Sequence, residues 1–166
     1  GRLTRQKNFS YLIDEFNNFS ENKDYILIII GDGEEKDKLK KIIERNNLEN
    51  KVFLIGYVKN IFKYFLKGNL FILSSLWEEV GFVLVEAAMS NLFIISSDCP
   101  NGPKEFLNFG KNGILFKNNI PGELTKSLTD YNRRLNFKSD LYALKKNAMK
   151  YTKFRHFTVL DRIICQ

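Results

Sequence analysis

The chain has 166 residues and a formal net charge of +7 at pH 7, and 44% of its residues are hydrophobic. This length favours one domain with a substantial core, and no apolar run approaches the roughly 20 residues of a membrane-spanning helix. Residues 1–132 carry 17 basic and 17 acidic residues, whereas residues 133–166 carry nine basic and two acidic ones. Because the excess charge is confined to this tail and no RNA-binding motif accompanies it, we expect no nucleic-acid partner.

Short apolar runs alternate with segments of helical period along the chain. The runs predict strands at residues 24–30, 51–56, 70–75, 92–96 and 113–116. Helices are predicted at residues 8–19 (with Asn8 as N-cap), 34–47, 58–68, 81–90 and 102–110, and from Pro121 onward. Strands that are apolar throughout and alternate with helices indicate a doubly wound parallel sheet, a Rossmann-like α/β fold.

We predict a single domain over residues 1–166, with a helical tail over about 137–166. The opening letters GRL are typical of the end of a strand, so we expect that strand to lie upstream of Gly1.

Ligands bind at the carboxyl ends of the strands in a doubly wound sheet, so the polar residues there are the informative ones. Arg2 and Lys7 would supply fixed positive charge for an anion. Gly81 opens a helix whose N–H groups and dipole favour phosphate. Glu86, one turn into that helix, is predicted to be buried, and its carboxylate suits the two hydroxyls of a ribose.

The sequence predicts neither a metal site nor a cofactor. His156 is the only histidine and lies in the basic tail, and Asp98 and Cys99 have no further ligand at metal spacing. Cys99 and Cys165 show no redox spacing either, which fits a reduced, cytoplasmic setting.

Glu78 and Glu86 are separated by seven residues in the stretch WEEVGFVLVEAA. This spacing resembles the E-x7-E signature of retaining glycosyltransferases of the GT-B fold, family 4. Further motifs resemble that family in the same order: GRLTRQKNF (1–9), IIIGDGEEKDKLKKII (28–43), VFLIGYVKN (52–60), NLFILSSLWEEVGFVLVEA (69–87), and FIISSDCPNGPKEFL (93–107) with GKNGILF (110–116). The sequence departs from the family pattern at Glu79, where the family has glycine, and at Ser90 and Asn91.

The resemblance implies a role for each matching position. Arg2 and Lys7 would hold the diphosphate of a nucleotide sugar, Glu78 would bind the hydroxyls of the donor sugar, and Glu86 would bind the ribose. The remaining substrate-binding positions would be the backbone at Val80, Gly81 and Phe82 beside the phosphate, and the turn at Tyr57 and Val58 beside the base.

The resemblance therefore implies the C-terminal, donor-binding half of a metal-independent glycosyltransferase. We expect a UDP-sugar as donor and a lipid-linked or surface-glycan acceptor. The family's N-terminal acceptor domain is absent from residues 1–166, so we expect the isolated chain to be inactive. The alternative is a non-catalytic nucleotide-sugar-binding module or truncated remnant, and a second doubly wound domain upstream of Gly1 would favour the enzyme.

The basic tail has two interpretations. Its apolar stripe consists of Leu141, Leu144, Ala148 and Tyr151, and its other faces carry Lys145, Lys146, Lys150 and Lys153. The tail is either a solvated helix docked on the sheet or a peripheral contact with the anionic inner face of the membrane, to which Phe154 and Phe157 would contribute.

Overall fold

The computed structural model describes residues 1–19, 25–79, 81–133 and 138–151, and the statements below concern these ranges. The strands are β1 (Leu27–Ile30), β2 (Val52–Gly56), β3 (Leu70–Leu73), β4 (Phe93–Ser97) and β5 (Ile114–Phe116). The helices are α1 (Phe9–Asn18), α2 (Lys36–Arg45), α3 (Phe62–Phe65), α4 (Phe82–Met89), α5 (Pro103–Phe106), α6 (Glu123–Arg133) and α7 (Lys138–Ala148). Short 3-10 turns form at Arg5–Lys7 and Met149–Tyr151. The predicted order of strands and helices is confirmed.

All strand pairs in the described ranges are parallel. β1 pairs with β2, with Leu27 opposite Val52. β4 lies between β3 and β5, with Leu70 opposite Phe93 and Ile95 opposite Ile114. No pairing joins β1 to β3 among the described residues, so the strands form one two-stranded and one three-stranded sheet. The predicted class, a parallel Rossmann-like α/β fold, is confirmed.

Helices cover the strands on both faces and enclose two cores. Phe93 and Ile95 of β4 belong to the first core, which also contains residues of α1, α2 and α6. Ile94, between them, points into the second core with residues of α3, α4, α5 and α7. Because successive side chains of a strand point to opposite faces, β4 is buried over its whole length.

The tail begins as a helix that packs on the second core. Leu144 and Ala148 of α7 are fully buried there, whereas Tyr151 is 46% exposed. α7 is therefore docked through its apolar stripe, while Lys153, Phe154 and Phe157 lie outside the described residues. Each helix in the described ranges is too short or too polar to span a bilayer.

Asn8 precedes α1 as predicted, but its side chain does not cap the helix. Its backbone is left-handed, with φ 53°, and not extended as an N-cap usually is. In this conformation the side-chain Nδ2 donates to Asn119 Oδ1 at 3.0 Å. The residue therefore joins the start of α1 to the loop before α6.

The side chain of Glu15 in α1 caps the start of α6, which the sequence did not predict. Glu15 is only 3% exposed. Its Oε1 accepts the Gly122 N–H at 2.8 Å, and its Oε2 accepts the Thr125 N–H at 2.9 Å. The Thr125 hydroxyl also donates to Oε2 at 2.9 Å. A negative charge at these amides is favourable because the first turn of a helix has unpaired N–H groups and a positive dipole end.

Replacing Glu15 with glutamine should lower the free energy of unfolding by about 1–3 kcal/mol, because one carboxylate oxygen becomes an NH2 group facing N–H donors. Urea denaturation measures the change. Asp14→Asn is the matched control, since Asp14 is the exposed neighbour on the same helix and should change stability by less than ~0.5 kcal/mol. Equal effects of both substitutions would contradict the capping role.

Candidate functional site

Residues 1–8 cross the carboxyl ends of both sheets. On one side, the Gly1 nitrogen donates to Ile30 O at 2.7 Å and the Leu3 N–H to Asp32 O at 2.9 Å. On the other side, the Leu76 N–H donates to Gln6 O at 2.8 Å. This segment therefore places its basic side chains where the strands end, as the topology predicts for a binding site.

Gly33 permits the close approach of this segment. A Cβ at Gly33 would lie 2.5 Å from Leu3 O and 2.7 Å from Leu3 N, closer than a side chain can approach a backbone. The glycines of the GDG turn thus allow residues 1–3 to pack directly against the end of β1.

Lys7 and Glu78 form an ion pair at the end of β3. Lys7 Nζ lies 2.6 Å from Glu78 Oε1, and the Glu78 side chain is 6% exposed. The hydroxyl of Ser75 donates to the same oxygen at 2.5 Å. A carboxylate this deeply buried needs such partners, because removing a charge from water is costly. The sequence predicted both charged residues, and the structure brings them into direct contact across 71 positions of the chain.

Ser75 contacts the candidate site and was not singled out from the sequence. It is fully buried, and its carbonyl oxygen accepts the hydroxyl of Ser97 at 2.7 Å. Two serines at the ends of neighbouring strands thus fix the backbone and carboxylate of the loop that carries Glu78. The signal was present in the pair Ser74–Ser75, three residues before Glu78, but a serine at a strand end has many uses.

Gly81 is the residue before α4, and it is buried with a left-handed backbone at φ 61°. Among the described residues no side chain caps the first amides of α4, and Phe82, the first helical residue, is 60% exposed. The start of α4 is therefore open to an anion. Val80 lies outside the described residues.

Glu86 is partly exposed, which corrects the expectation that it is buried. The core positions of α4 are taken by Leu84, Ala87 and Ala88. Glu86 lies on another flank of the helix, where it lines a cavity. The sequence of α4 did not indicate which of its sides is exposed, because an almost entirely apolar helix has no polar stripe.

One cavity of about 930 Å³ joins most of the predicted site. Its lining includes Arg2, Lys7, Tyr57, Val58 and Glu86. Glu78 is connected to it through Lys7, while Gly81 and Phe82 do not line it. The structure therefore brings together the two basic residues, the two acids and the turn after β2.

The other polar strand end, after β4, shows ordinary structural contacts. Asp98 pairs with Lys104 at 3.3 Å, and burial raises the pKa of the Cys99 thiol. In the part of the chain that the structure describes, no three His, Cys, Asp or Glu side chains are grouped for a metal ion. His156 and Cys165 are outside that part.

Comparison with known proteins gives consistent matches. The family model described as glycosyl transferases group 1 matches residues 1–147. An uncharacterised glycosyltransferase of Methanocaldococcus jannaschii is 43% identical over 131 residues, which make up 70% of this chain and 32% of that protein. The N-acetylgalactosamine-N,N'-diacetylbacillosaminyl-diphospho-undecaprenol 4-alpha-N-acetylgalactosaminyltransferase of Campylobacter jejuni is 33% identical over 115 residues, covering 69% of this chain and 31% of its own.

Solved structures show the same fold. A mutant of Staphylococcus aureus TarM, crystallised with fondaparinux, alpha-GlcNAc-glycerol and UDP, matches with a TM-score of 0.86 and 25% identity over 99% of this chain and 33% of that one. The pneumococcal O-GlcNAc transferase GtfA, in complex with UDP and GlcNAc, matches in fold with a TM-score of 0.83 and 21% identity, over 98% of this chain and 34% of that one. The chain spans about a third of the length of these relatives.

Replacing Glu78 with glutamine should lower the free energy of unfolding by about 1–3 kcal/mol, because Lys7 and Ser75 both lose their charged acceptor. Glu79→Gln is the matched control, since Glu79 is exposed and should change stability by less than ~0.5 kcal/mol. Denaturant unfolding of the two variants compares them directly. A Glu78 variant as stable as the Glu79 variant would show that the ion pair contributes nothing to folding.

Proposed function

The chain belongs to the group 1 glycosyltransferases, and we propose that it is the C-terminal, donor-binding domain of a retaining family 4 enzyme. The observation that carries this proposal is the Lys7–Glu78 pair, which lies at the carboxyl ends of the strands beside a cavity that Arg2 and Glu86 also line. Basic groups that can bind a diphosphate and acids that can bind sugar hydroxyls thus lie in or next to one cavity.

Each residue of the site has a defined task in this proposal. Arg2 and Lys7 bind the diphosphate of the donor, and the first amides of α4 bind its distal phosphate. Glu86, half-buried on α4, accepts hydrogen bonds from the ribose. Oε1 of Glu78 accepts hydrogen bonds from both Lys7 and Ser75. Its other oxygen, Oε2, accepts a hydroxyl of the donor sugar in this proposal. The exposed ring of Tyr57 and the neighbouring Val58 border the base.

The proposed reaction breaks the bond between the anomeric carbon and the diphosphate oxygen. The electron pair leaves with the nucleoside diphosphate, whose growing negative charge Arg2, Lys7 and the α4 amides stabilise. The acceptor hydroxyl forms the new bond on the same face of the sugar, and its proton passes to the departing diphosphate. The residues of this chain therefore supply charge stabilisation and position, with neither a protein nucleophile nor a metal ion.

A UDP-sugar is the donor that we propose, because the TarM structure at 25% identity contains UDP. A lipid-linked or surface-glycan acceptor is proposed because the Campylobacter jejuni relative is named for a diphospho-undecaprenol substrate.

Such an acceptor would place the enzyme at the inner face of the cytoplasmic membrane. The exposed side chains of Lys146 and Lys150 favour a peripheral contact there. The acceptor is held by a second domain, so we expect residues 1–166 alone to transfer no sugar.

Replacing Arg2 and Lys7 together with alanine should weaken UDP binding by about 2–4 kcal/mol, since each charge-assisted contact contributes ~1.5–3 kcal/mol and the two are not additive. Isothermal titration with UDP, and with GDP for comparison, measures the loss. Arg5→Ala is the matched control, because Arg5 is an exposed arginine of the same segment and does not line the cavity. Unchanged UDP affinity in the double variant would remove the proposed diphosphate site.

Glu86→Gln should raise the KM for the donor with little change in kcat, because the ribose contact is the same in the ground state and in the transition state. Glu78→Gln should mainly lower kcat, since the sugar that it contacts is where charge develops. Steady-state kinetics of the full-length enzyme separates the two. An identical kinetic signature for both variants would reject the division of roles, and UDP binding without any transfer would favour the non-catalytic module.

A further inference from the structure

The outer side of α3 exposes two large apolar side chains. The inner side of this helix packs on the second core, where Phe65 is 8% exposed and Ile61 contacts the buried residues. Phe62 and Leu66, by contrast, are 45% and 73% exposed. They are four positions apart, and the helical backbone angles of α3 continue through Leu66, so both side chains lie on the same side of the helix. α3 thus presents an apolar stripe to water.

Lysines accompany this apolar stripe. Residues 50–77 contain four lysines and no aspartate or glutamate. Three of these lysines are exposed and follow one another at four-residue intervals: Lys59, Lys63 and Lys67. Within the described ranges none of the three forms an ion pair, whereas three lysines of α2 do, namely Lys36, Lys38 and Lys40, with Asp32, Glu35 and Asp37 respectively. The charge on α2 is therefore neutralised locally, and the charge on α3 is not neutralised by the acids that the structure describes.

The exposed apolar area continues onto β2. Val52 and Leu54 point to the first core, so Phe53 and Ile55 point to the opposite side of the sheet, on which α3 lies. Phe53 is 38% exposed and Ile55 is 41% exposed. An exposed apolar patch beside charged residues is typical of an interaction site. We call the following residues the α3 surface: Phe53, Ile55, Lys59, Phe62, Lys63, Leu66 and Lys67.

A surface that combines apolar and basic side chains has the chemistry of an interfacial membrane contact. Apolar side chains enter the boundary between headgroups and acyl chains, and lysines bind the phosphates while their aliphatic stems stay on the apolar side. A second copy of the chain is a poorer partner, because a symmetric contact through this surface would bring the lysines of both copies together. Ile55 and Leu66 have no ring on which a base could stack, which favours lipid over nucleic acid.

The tail supplies exposed lysines on the same side of the sheet. Leu144 and Ala148 of α7 are buried in the second core, as Phe65 of α3 is. The exposed side chains of Lys146 and Lys150 therefore lie on the side of the sheet that carries the α3 surface. One bilayer placed against this side would meet both groups of lysines.

We propose that the α3 surface binds an anionic lipid bilayer, with Phe62 and Leu66 at the headgroup boundary and the three lysines against lipid phosphates. Each lysine near such a surface contributes about 1 kcal/mol, which corresponds to about a fivefold increase in the partition coefficient. Three lysines together give an increase on the order of 100-fold, which falls as salt screens the charges. This contact adds to the one proposed for the lysines of the tail, and it does not depend on the donor site.

Sedimentation of the full-length protein with lipid vesicles tests the charged part of the α3 surface. The anionic vesicles contain phosphatidylglycerol and phosphatidylcholine at about 1:2, and vesicles of phosphatidylcholine alone are the neutral comparison. The triple variant Lys59→Gln, Lys63→Gln, Lys67→Gln should lower the partition coefficient on anionic vesicles at least about 20-fold. Equal binding of the unsubstituted protein to both kinds of vesicle would overturn the proposal.

Three lysines of α2 provide the matched control for net charge. The triple variant Lys36→Gln, Lys38→Gln, Lys40→Gln removes the same charge from a helix on the side of the first core, and it should lower the partition coefficient less than about threefold. Equal losses in the two triple variants would show that only net charge matters, and they would overturn the proposal.

The substitution Leu66→Ser tests the apolar part of the surface. It leaves every charge in place and should lower the partition coefficient at least about threefold at low and high salt alike, because burial of an apolar side chain is not screened by ions. Ile120→Ser is the matched control, since Ile120 is 48% exposed but lies beside Tyr11, which packs against the first core. A Leu66 variant that binds anionic vesicles as well as the Ile120 variant would overturn the proposal.

Two measurements without vesicles separate this proposal from its alternatives. Titration with UDP should give the same affinity for the unsubstituted protein and for the variants of the α3 surface, because none of the substituted residues has a role in the proposed donor site. Vesicle binding that depends on the α3 surface in a protein that does not bind UDP would contradict the donor site and support the bilayer contact. Sedimentation velocity measures the oligomeric state, and a dimer that Leu66→Ser dissociates would assign the surface to a second copy and overturn the proposal.

Discussion

The contact between residues 1–8 and the ends of both sheets is the constraint on which the candidate site depends. The two sheets share no strand pairing in the described ranges, and this segment spans the gap between them at the carboxyl ends. Lys7 is paired with Glu78, and the hydroxyl of Ser74 donates to Lys7 O at 2.8 Å. A shift of either sheet would therefore move a basic residue relative to the acid that it neutralises.

The ion pair also holds the acidic side of the candidate site in place. A nearly buried carboxylate without a partner would be strongly unfavourable, and Lys7 and Ser75 provide two donors to one of its oxygens. The pair holds Glu78 in one orientation while the cation keeps donors for a second anion. Glu86 differs, since it is half-exposed and faces the cavity. One acid is thus fixed by the protein, and the other remains accessible to a ligand.

Local patterns were sufficient to predict the order of the strands and helices, and they indicate the strand ends at which the candidate site lies. Apolar runs with helices between them specify a parallel sheet, and the topology alone brings strand ends to one edge. Patterns of this kind do not predict contacts between side chains that are far apart in the sequence. Glu15 looked like one more polar residue of α1, yet it caps a helix more than a hundred residues away, at Thr125. The exposure of Glu86 was missed for a related reason, because it depends on which flank of α4 meets its neighbours.

The long separations also govern the order in which the domain can fold. Residues 9–56 can pair β1 with β2 and pack α1 on α2 using nearby parts of the chain, and such local contacts form fastest. Glu15, however, finds its partners only when Thr125 is available, 110 positions later. A ribosome adds about 5–20 residues per second, so during synthesis this carboxylate stays hydrated for several seconds. The part of α1 around Glu15 thus stays hydrated until α6 is made, and the first core is completed late, from its C-terminal side.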